Sequence, residues 1–168
     1  GLFVSACAAT EEALQKSQGH YQEGVATLSG DRQKAFVSFQ KAVQLNPKNK
    51  EARYGLGHVY ALQGKLAQAE EEFRSAIQID DAYSEAHTYL GQVLASQGKW
   101  EEAMESFEDA VLANPASVPP ALTHLELGRV YSKLGYAAKA REVLSKVKAL
   151  DTGGEYTNAA TELLARLK

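Results

Sequence analysis

Residues that could bind a metal ion are few in this chain. It has four histidines and one cysteine. Three of the four histidines stand at equivalent places early in successive units of an internal repeat. Packed helices lie about 8–10 Å apart, whereas the ligands of one zinc ion must converge to about 2 Å from it. We therefore predict no shared metal site and interpret these side chains as half-buried packing residues, at His20, His58, His87 and His124.

Other catalytic arrangements are also missing from the sequence. Cys7 is the only thiol, and no histidine is placed to act as its base. The glycines lack the strand, turn and helix context that a phosphate-binding loop requires. A net charge of −3 without a basic stripe argues against nucleic acid as a partner. We predict that the protein is not an enzyme, carries no cofactor and takes no small-molecule substrate.

The residues that lead to Cys7 form a short pattern of their own. Val4 is aliphatic, Ser5 and Ala6 are small, and the thiol follows directly. Small residues let a peptidase approach the backbone, and the sulfur is the atom that carries a diacylglyceryl group. This run resembles the lipobox of bacterial lipoproteins, which implies lipidation at Cys7 and membrane contact only through that anchor.

The same resemblance implies boundaries at the amino terminus. Residues 1–6 would be the remnant of a signal segment, and residues 7–15 a tether that leads into the first helix. Ala8 stands where an aspartate would change the sorting, so the expected location is the outer membrane, facing the periplasm. No methionine or basic region precedes Leu2, so we expect the sequence to begin inside a longer precursor. The alternative is a helix that starts near Leu2 and buries Cys7, in a cytoplasmic protein.

An internal repeat organises the rest of the chain. Shifting residues 50–83 by 34 positions lays them over residues 84–117, and a period of this length is typical of a helix-turn-helix solenoid. The next step is 37 residues, so we place an insertion at Val118-Pro119-Pro120. The positions that recur hold leucine, small residues or phenylalanine: Leu56 and Leu90, Gly57 and Gly91, Gly64 and Gly98, Ala69 and Ala103, Phe73 and Phe107, Ala76 and Ala110.

These recurring residues resemble the pattern of the tetratricopeptide repeat family. The resemblance implies an all-α fold: a right-handed superhelical solenoid of eight paired helices plus a capping helix, without strands. We place its four units at 16–49, 50–83, 84–120 and 121–152, and the capping segment at 153–168, with its helix from Glu155 to Leu167. Turns are expected at Gly30, Gly64, Gly98 and Gly135, and Thr10 is a candidate N-cap of the first helix.

Stacked helix pairs form a concave face lined by the first helix of each unit, and such faces bind peptide segments. The resemblance places these positions at Tyr21, Glu51, Tyr54, His58, Leu62, Glu85, Thr88, Gln92, Leu122, Leu125, Arg129 and Lys133. Among them, we select as partner-binding residues Tyr54, His58, Leu62, Leu125, Arg129 and Lys133. Tyr54 and Leu125 are the expected anchors, and Arg129 and Lys133 the steering charges. Tyr54 and Leu62 have an equally weighted alternative, which is packing between adjacent units.

Two functions remain open. The first is a lipid-anchored envelope scaffold that holds a protein partner, similar to the tetratricopeptide lipoproteins of type IV pilus and secretin assembly. The second is a cytoplasmic adaptor or co-chaperone-like module. Some family members clamp a partner's terminal carboxylate with basic and amide side chains. That activity is not predicted, because the corresponding positions hold Tyr54, His58, Glu85 and Tyr89.

Overall fold

The computed structural model describes the backbone of residues 2–113 and 119–167, and the side chains from residue 10 onward within those ranges. The described residues form α-helices and no strand, which confirms the predicted all-α repeat fold. The helices are α1 Leu2–Thr27, α2 Arg32–Leu45, α3 Lys50–Leu62, α4 Leu66–Ile79, α5 Ser84–Ser96, α6 Trp100–Leu112, α7 Pro120–Lys133, α8 Ala137–Leu150 and α9 Thr157–Arg166.

The chain divides into two compact lobes, an amino-terminal lobe, Gly1–Asp80, and a carboxy-terminal lobe, Asp81–Lys168. In the amino-terminal lobe, α1 packs against α2, α3 packs against α4, and α2 contacts α3. In the carboxy-terminal lobe, the pairs are α5 with α6 and α7 with α8, and α9 packs on α8. The last contact agrees with the capping role predicted for the final helix.

Glycine ends three of the first helices in their units. Gly64, Gly98 and Gly135 have φ of 72°, 76° and 81°, a left-handed conformation that costs glycine least. The fourth predicted turn, at Gly30, is also a turn, with the Gly30 amide donating to the Thr27 carbonyl at 3.1 Å. Its backbone is not left-handed. The chain instead re-enters a helix through Asp31, whose side chain accepts from the Lys34 amide at 2.9 Å.

The start of α1 differs from the sequence prediction. The helix begins at Leu2, so Thr10 lies inside it and is not its N-cap. The physical reason is that no proline or glycine stands between Leu2 and Thr10, and leucine and alanine favour helix there. The backbone therefore follows the alternative of an early helix start. The side chain of Cys7 lies outside the described residues, so its lipidation stays a prediction.

Two later boundaries follow local chemistry. Of the expected insertion, Val118 lies outside the described residues, while Pro120 opens α7 at a position where proline's missing amide costs nothing. The last helix begins at Thr157, two residues later than expected for a helix from Glu155. The carboxylate of Asp151 accepts from the amides of Tyr156 and Thr157 at 2.8 and 2.7 Å and holds the preceding turn. No described helix combines the length and apolar character that crossing a membrane requires.

Candidate protein-binding faces

Three of the selected residues form a stripe along α3, in the amino-terminal lobe. Tyr54, His58 and Leu62 are four residues apart, so they share one face of the helix. The Tyr54 ring is partly buried and lies 5.9 Å from the Phe73 ring between centroids, and 6.3 Å from that of His58. Leu62, at the end of the helix, is 44% exposed. The α3 stripe therefore runs from a packed end at Tyr54 to an open end at Leu62.

His58 is the polar member of the α3 stripe. Burial lowers the pKa of His58 below its usual value of 6.5, so the imidazole is neutral at neutral pH. A neutral imidazole next to Tyr54 and near Leu62 makes this stripe an uncharged surface. It is suited to apolar and hydrogen-bonding contacts with a partner, not to steering by charge.

The corresponding stripe on α7, in the carboxy-terminal lobe, consists of Leu125, Arg129 and Lys133. Leu125 is only 3% exposed. It belongs to the core of its lobe, and the exposed anchor expected from the sequence is not present at this position. Thr88, the α5 residue that stands at the same place in its repeat, is also fully buried, with its hydroxyl 3.1 Å from that of Thr123. On α5 and α7 this position is thus buried, whereas Tyr54 on α3 is only partly buried. Lys133, the third residue of the α7 stripe, is exposed.

Arg129 and Lys133 lie at a cleft between α5 and α7, which we call the α5–α7 cleft. Its volume is about 570 Å³, and Trp100, the first residue of α6, forms part of its wall. The Lys133 ammonium lies 5.4 Å from the centre of the Trp100 ring, within the range of a cation–π contact. The cleft is lined by Gln92, Ala95, Ser96, Trp100, Glu126, Arg129, Val130 and Lys133.

One carboxylate belongs to this cleft. Glu126 Oε1 lies 3.8 Å from Arg129 Nη1, at the outer limit of an ion pair. Burial raises the pKa of the Glu126 carboxyl, and the positive charge of Arg129 opposes that shift only in part. Within the part of the chain that the structure describes, no carboxylate oxygen comes within 4 Å of Lys133 Nζ.

The sequence did not identify Trp100 or Glu126 as site residues. Trp100 follows the left-handed turn at Gly98, which returns the chain toward the end of α7. The only available signal was that the single tryptophan of the chain opens a second helix. Glu126 could have been found from spacing, since it precedes Arg129 by three residues and Lys133 by seven on the same helix.

Two of the other histidines, His87 and His124, make hydrogen bonds to backbone carbonyls. His87 is buried and donates from Nε2 to the Asp81 carbonyl at 2.9 Å, while His124 donates from Nδ1 to the Pro120 carbonyl at 2.8 Å. Among the residues whose side chains are described, no group of three or more histidines, cysteines or carboxylates is placed to hold a metal. The predicted packing role of His87 agrees with its burial.

A run of acidic residues lies on α6. Glu101, Glu102 and Glu105 are exposed, as a solvated face requires. Glu108 has another contact, because it accepts a hydrogen bond from the Tyr131 hydroxyl at 2.5 Å. That bond joins α6 to α7 within the carboxy-terminal lobe.

Comparison with known proteins agrees with the repeat pattern. Sequence models described as tetratricopeptide repeat match residues 26–74, 60–122 and 121–153. No curated protein matches the chain. Proteins of this family are typically non-enzymatic interaction modules.

Solved structures share the fold. PilF of Pseudomonas aeruginosa is 24% identical with a TM-score of 0.79, over 94% of this chain and 70% of PilF. PilW, described as a widely conserved type IV pilus biogenesis factor, is 27% identical with a TM-score of 0.74, over 90% of this chain and 68% of PilW.

A third structure is the first tetratricopeptide domain of Spaghetti (RPAP3), bound to the HSP90 peptide SRMEEVD. It is 21% identical with a TM-score of 0.67, over 73% of this chain and 95% of that domain. The matched repeats span residues 26–153, well over half of the sequence. This chain is a member of the tetratricopeptide repeat family.

Proposed function

We propose that this protein is a non-enzymatic scaffold that binds a partner protein through the inner faces of its first helices. The observation that carries the proposal is the α3 stripe, where Tyr54 and Leu62 present aromatic and aliphatic surface around a neutral His58. Partly exposed apolar side chains at helical spacing are the usual anchors for a peptide segment laid along a groove. Arg129 and Lys133 add positive charge in the carboxy-terminal lobe.

The proposed setting is the bacterial envelope. The lipobox-like run that ends at Cys7 supports a lipid anchor in the outer membrane, with the repeats facing the periplasm. Similarity to PilW, described as a type IV pilus biogenesis factor, supports a role in pilus assembly. In this proposal the anchor holds the scaffold at the membrane, and the repeats hold an assembly component there.

The lipid anchor has a direct test. Cells expressing the natural reading frame would be grown with radiolabelled palmitate, and the wild type compared with Cys7→Ala. We expect label in the wild type and none in the variant. Equal labelling of both, or of neither, would remove the anchor from the proposal and leave the binding role to stand alone.

The binding face is tested separately by site-specific cross-linking. A photoreactive residue at Leu62 would report a partner on the α3 stripe, and the same residue at Glu105 would report one on the exposed face of α6. We expect one discrete protein adduct in envelope fractions from the Leu62 position. Adducts only from Glu105 would place binding on the outer face and contradict the proposal.

A second candidate is a cytoplasmic adaptor with a co-chaperone-like role. The similarity to the peptide-bound domain of Spaghetti favours it. The positions that would clamp a terminal carboxylate hold Tyr54, His58, Glu85 and Tyr89 here, so the same peptide is not the expected ligand. Absence of label at Cys7, together with cross-linking to a cytoplasmic protein, would favour this candidate over the envelope scaffold.

A further inference from the structure

The α5–α7 cleft carries more positive charge than its own residues neutralise. Its ionisable side chains are Arg129, Lys133 and Glu126, which sum to one net positive charge (two minus one). The single ion pair is long, at 3.8 Å, and the Arg129 side chain remains 52% exposed. The Lys133 ammonium lies over the Trp100 ring, and no carboxylate oxygen of the described residues lies within 4 Å of it. Both cations are available to a carboxylate that enters the cleft.

The other walls of the cleft are apolar or neutral. Ala95, Val130 and the indole of Trp100 offer apolar surface, and Gln92 and Ser96 offer hydrogen-bonding groups. A volume of about 570 Å³ falls within the size range of ligand-binding clefts. A ligand with carboxylates beside an apolar side chain would satisfy the cations and cover the indole together.

We propose that the α5–α7 cleft binds an acidic peptide segment, whose carboxylates pair with Arg129 and Lys133 and whose neighbouring apolar side chain packs on Trp100. The proposal deepens the scaffold function and rests on it, because it assigns the chemistry of the segment that the carboxy-terminal lobe takes. Charge complementarity carries it, since a carboxylate forms bidentate pairs with a guanidinium and gains from a nearby ammonium.

A nucleic acid fits the same cleft less well. Glu126 places a carboxylate beside Arg129. The phosphates of a nucleic acid follow one another closely along its backbone, so a strand that reached Arg129 would be repelled by this carboxylate. The protein as a whole is acidic, with a net charge of −3. A short acidic peptide can avoid Glu126, because its charges are carried on separate side chains.

Trp100 provides a local reporter for the test, because it is the only tryptophan in the chain. The probe is a capped peptide in which glutamates alternate with leucines, titrated while Trp100 fluorescence is recorded. The matched control peptide carries glutamine in place of each glutamate. We expect saturable binding of the acidic peptide, loss of affinity with added salt, and binding at least about tenfold weaker for the glutamine peptide.

Substitutions in the cleft should change the affinity for the acidic peptide in opposite directions, depending on the charge that is removed. Arg129→Gln and Lys133→Gln should each weaken the acidic peptide about fivefold, because each removes one charged donor. Glu126→Gln should strengthen it about twofold, because it removes the carboxylate that competes for Arg129. Lys148→Gln is the matched control, since it removes the same charge from an exposed position on α8 and should change nothing.

Equal binding of the two peptides would show an apolar groove and overturn the proposal. No binding of either peptide would overturn it as well, and so would equal losses in Lys148→Gln and Lys133→Gln. These failures are distinguishable from failure of the scaffold function. Cross-linking at Leu62 reports the amino-terminal lobe, and a discrete adduct there would leave the scaffold role intact.

Discussion

A Cβ atom placed on Gly91 would lie 2.8 Å from the ring of Phe107. The aromatic ring therefore rests directly on the backbone of the first helix of its unit. The same contact recurs between Gly57 and Phe73 at 3.0 Å. This explains why glycine in the first helix and phenylalanine in the second recur together along the sequence, since each requires the other for close helix packing.

Alanine at Gly91 should therefore lower stability. The new methyl group would displace the Phe107 ring, and we expect a loss of about 1–3 kcal/mol in the free energy of unfolding, typical of an overpacked core. Gly19→Ala is the control, because its added Cβ meets nothing within 4 Å on a helix. It should stabilise by about 0.5–1 kcal/mol. Urea unfolding would measure both, and equal stability of the two variants would contradict the packing account.

Removing the ring should cost more than crowding it. Phe107 is fully buried, so Phe107→Ala should destabilise by about 3–5 kcal/mol through lost transfer energy and the cavity that remains. Phe73→Ala should behave alike. Leu112→Ala provides the comparison, since Leu112 is 85% exposed and its truncation should change stability little. Thermal unfolding of the three variants would show whether the aromatic positions form the core of their units.

Much of this fold could be predicted from the spacing of residues, because residues at equivalent positions of the repeat make equivalent packing contacts. Gly64, Gly98 and Gly135 were assigned as turns, and each has the left-handed backbone that glycine favours. The start of α1 was missed because Thr10 is a good N-cap residue, although nothing before it ends the helix. An N-cap residue marks a position where a helix can start. The helix is forced to start there only when a helix-breaking residue such as proline or glycine precedes it.

The candidate site was predicted less completely. Arg129 and Lys133 were selected from their spacing on the first helix of their unit, and both line the α5–α7 cleft. Their role in binding stays a prediction. Leu125 shares their helical spacing but lies deeper, because helical periodicity gives the face of a residue and not its depth. Trp100 was missed because it comes from the second helix of its unit, and its approach to Lys133 depends on the turn geometry.

The stability of the capping helix α9 should depend on pH through the carboxyl group of Asp151. Burial, the largest influence, raises the pKa of Asp151, but hydrogen bonds from Thr157 and the backbone of residues 155–157 lower it overall, below its usual 3.8. Because the pKa is lower in the folded state, the ionised carboxylate stabilises the fold at pH above the unfolded-state pKa. This stabilisation is lost as the pH falls through the folded-state pKa. The protection of the Thr157 amide against hydrogen exchange, measured relative to its intrinsic rate at each pH, should fall in that acidic range. Asp151→Asn should remove this part of the pH dependence, and an unchanged profile would contradict the role.

His87 is expected to pack rather than to bind metal. His87→Ala removes a buried ring and its hydrogen bond to the Asp81 carbonyl, so we expect a loss of about 1–3 kcal/mol, less than for Phe107→Ala. Metal analysis of the purified protein should give no stoichiometric zinc. Zinc that copurified with the wild type and was lost in His87→Ala would show that this histidine is a ligand.

Partner capture depends on the α3 stripe in this account. Tyr54→Ala should weaken partner binding by about 2 kcal/mol, a typical loss at an interface anchor. Tyr54 also packs near Phe73, so each variant would first be compared with the wild type by thermal unfolding. Leu62→Ala truncates a more exposed side chain of the same stripe. It therefore tests the binding role of the stripe with little loss of core packing. Arg129→Ala should mainly slow association and reduce its salt dependence.

The most direct measurement is capture of the partner from an envelope extract with Tyr54→Ala, Leu62→Ala and a triple variant of α6. The triple variant neutralises Glu101, Glu102 and Glu105, which are exposed on the outer face. We predict that the two stripe variants lose most of the captured partner while the triple variant retains it. Loss of the partner by the triple variant, with full capture by Tyr54→Ala and Leu62→Ala, would contradict binding at the inner face.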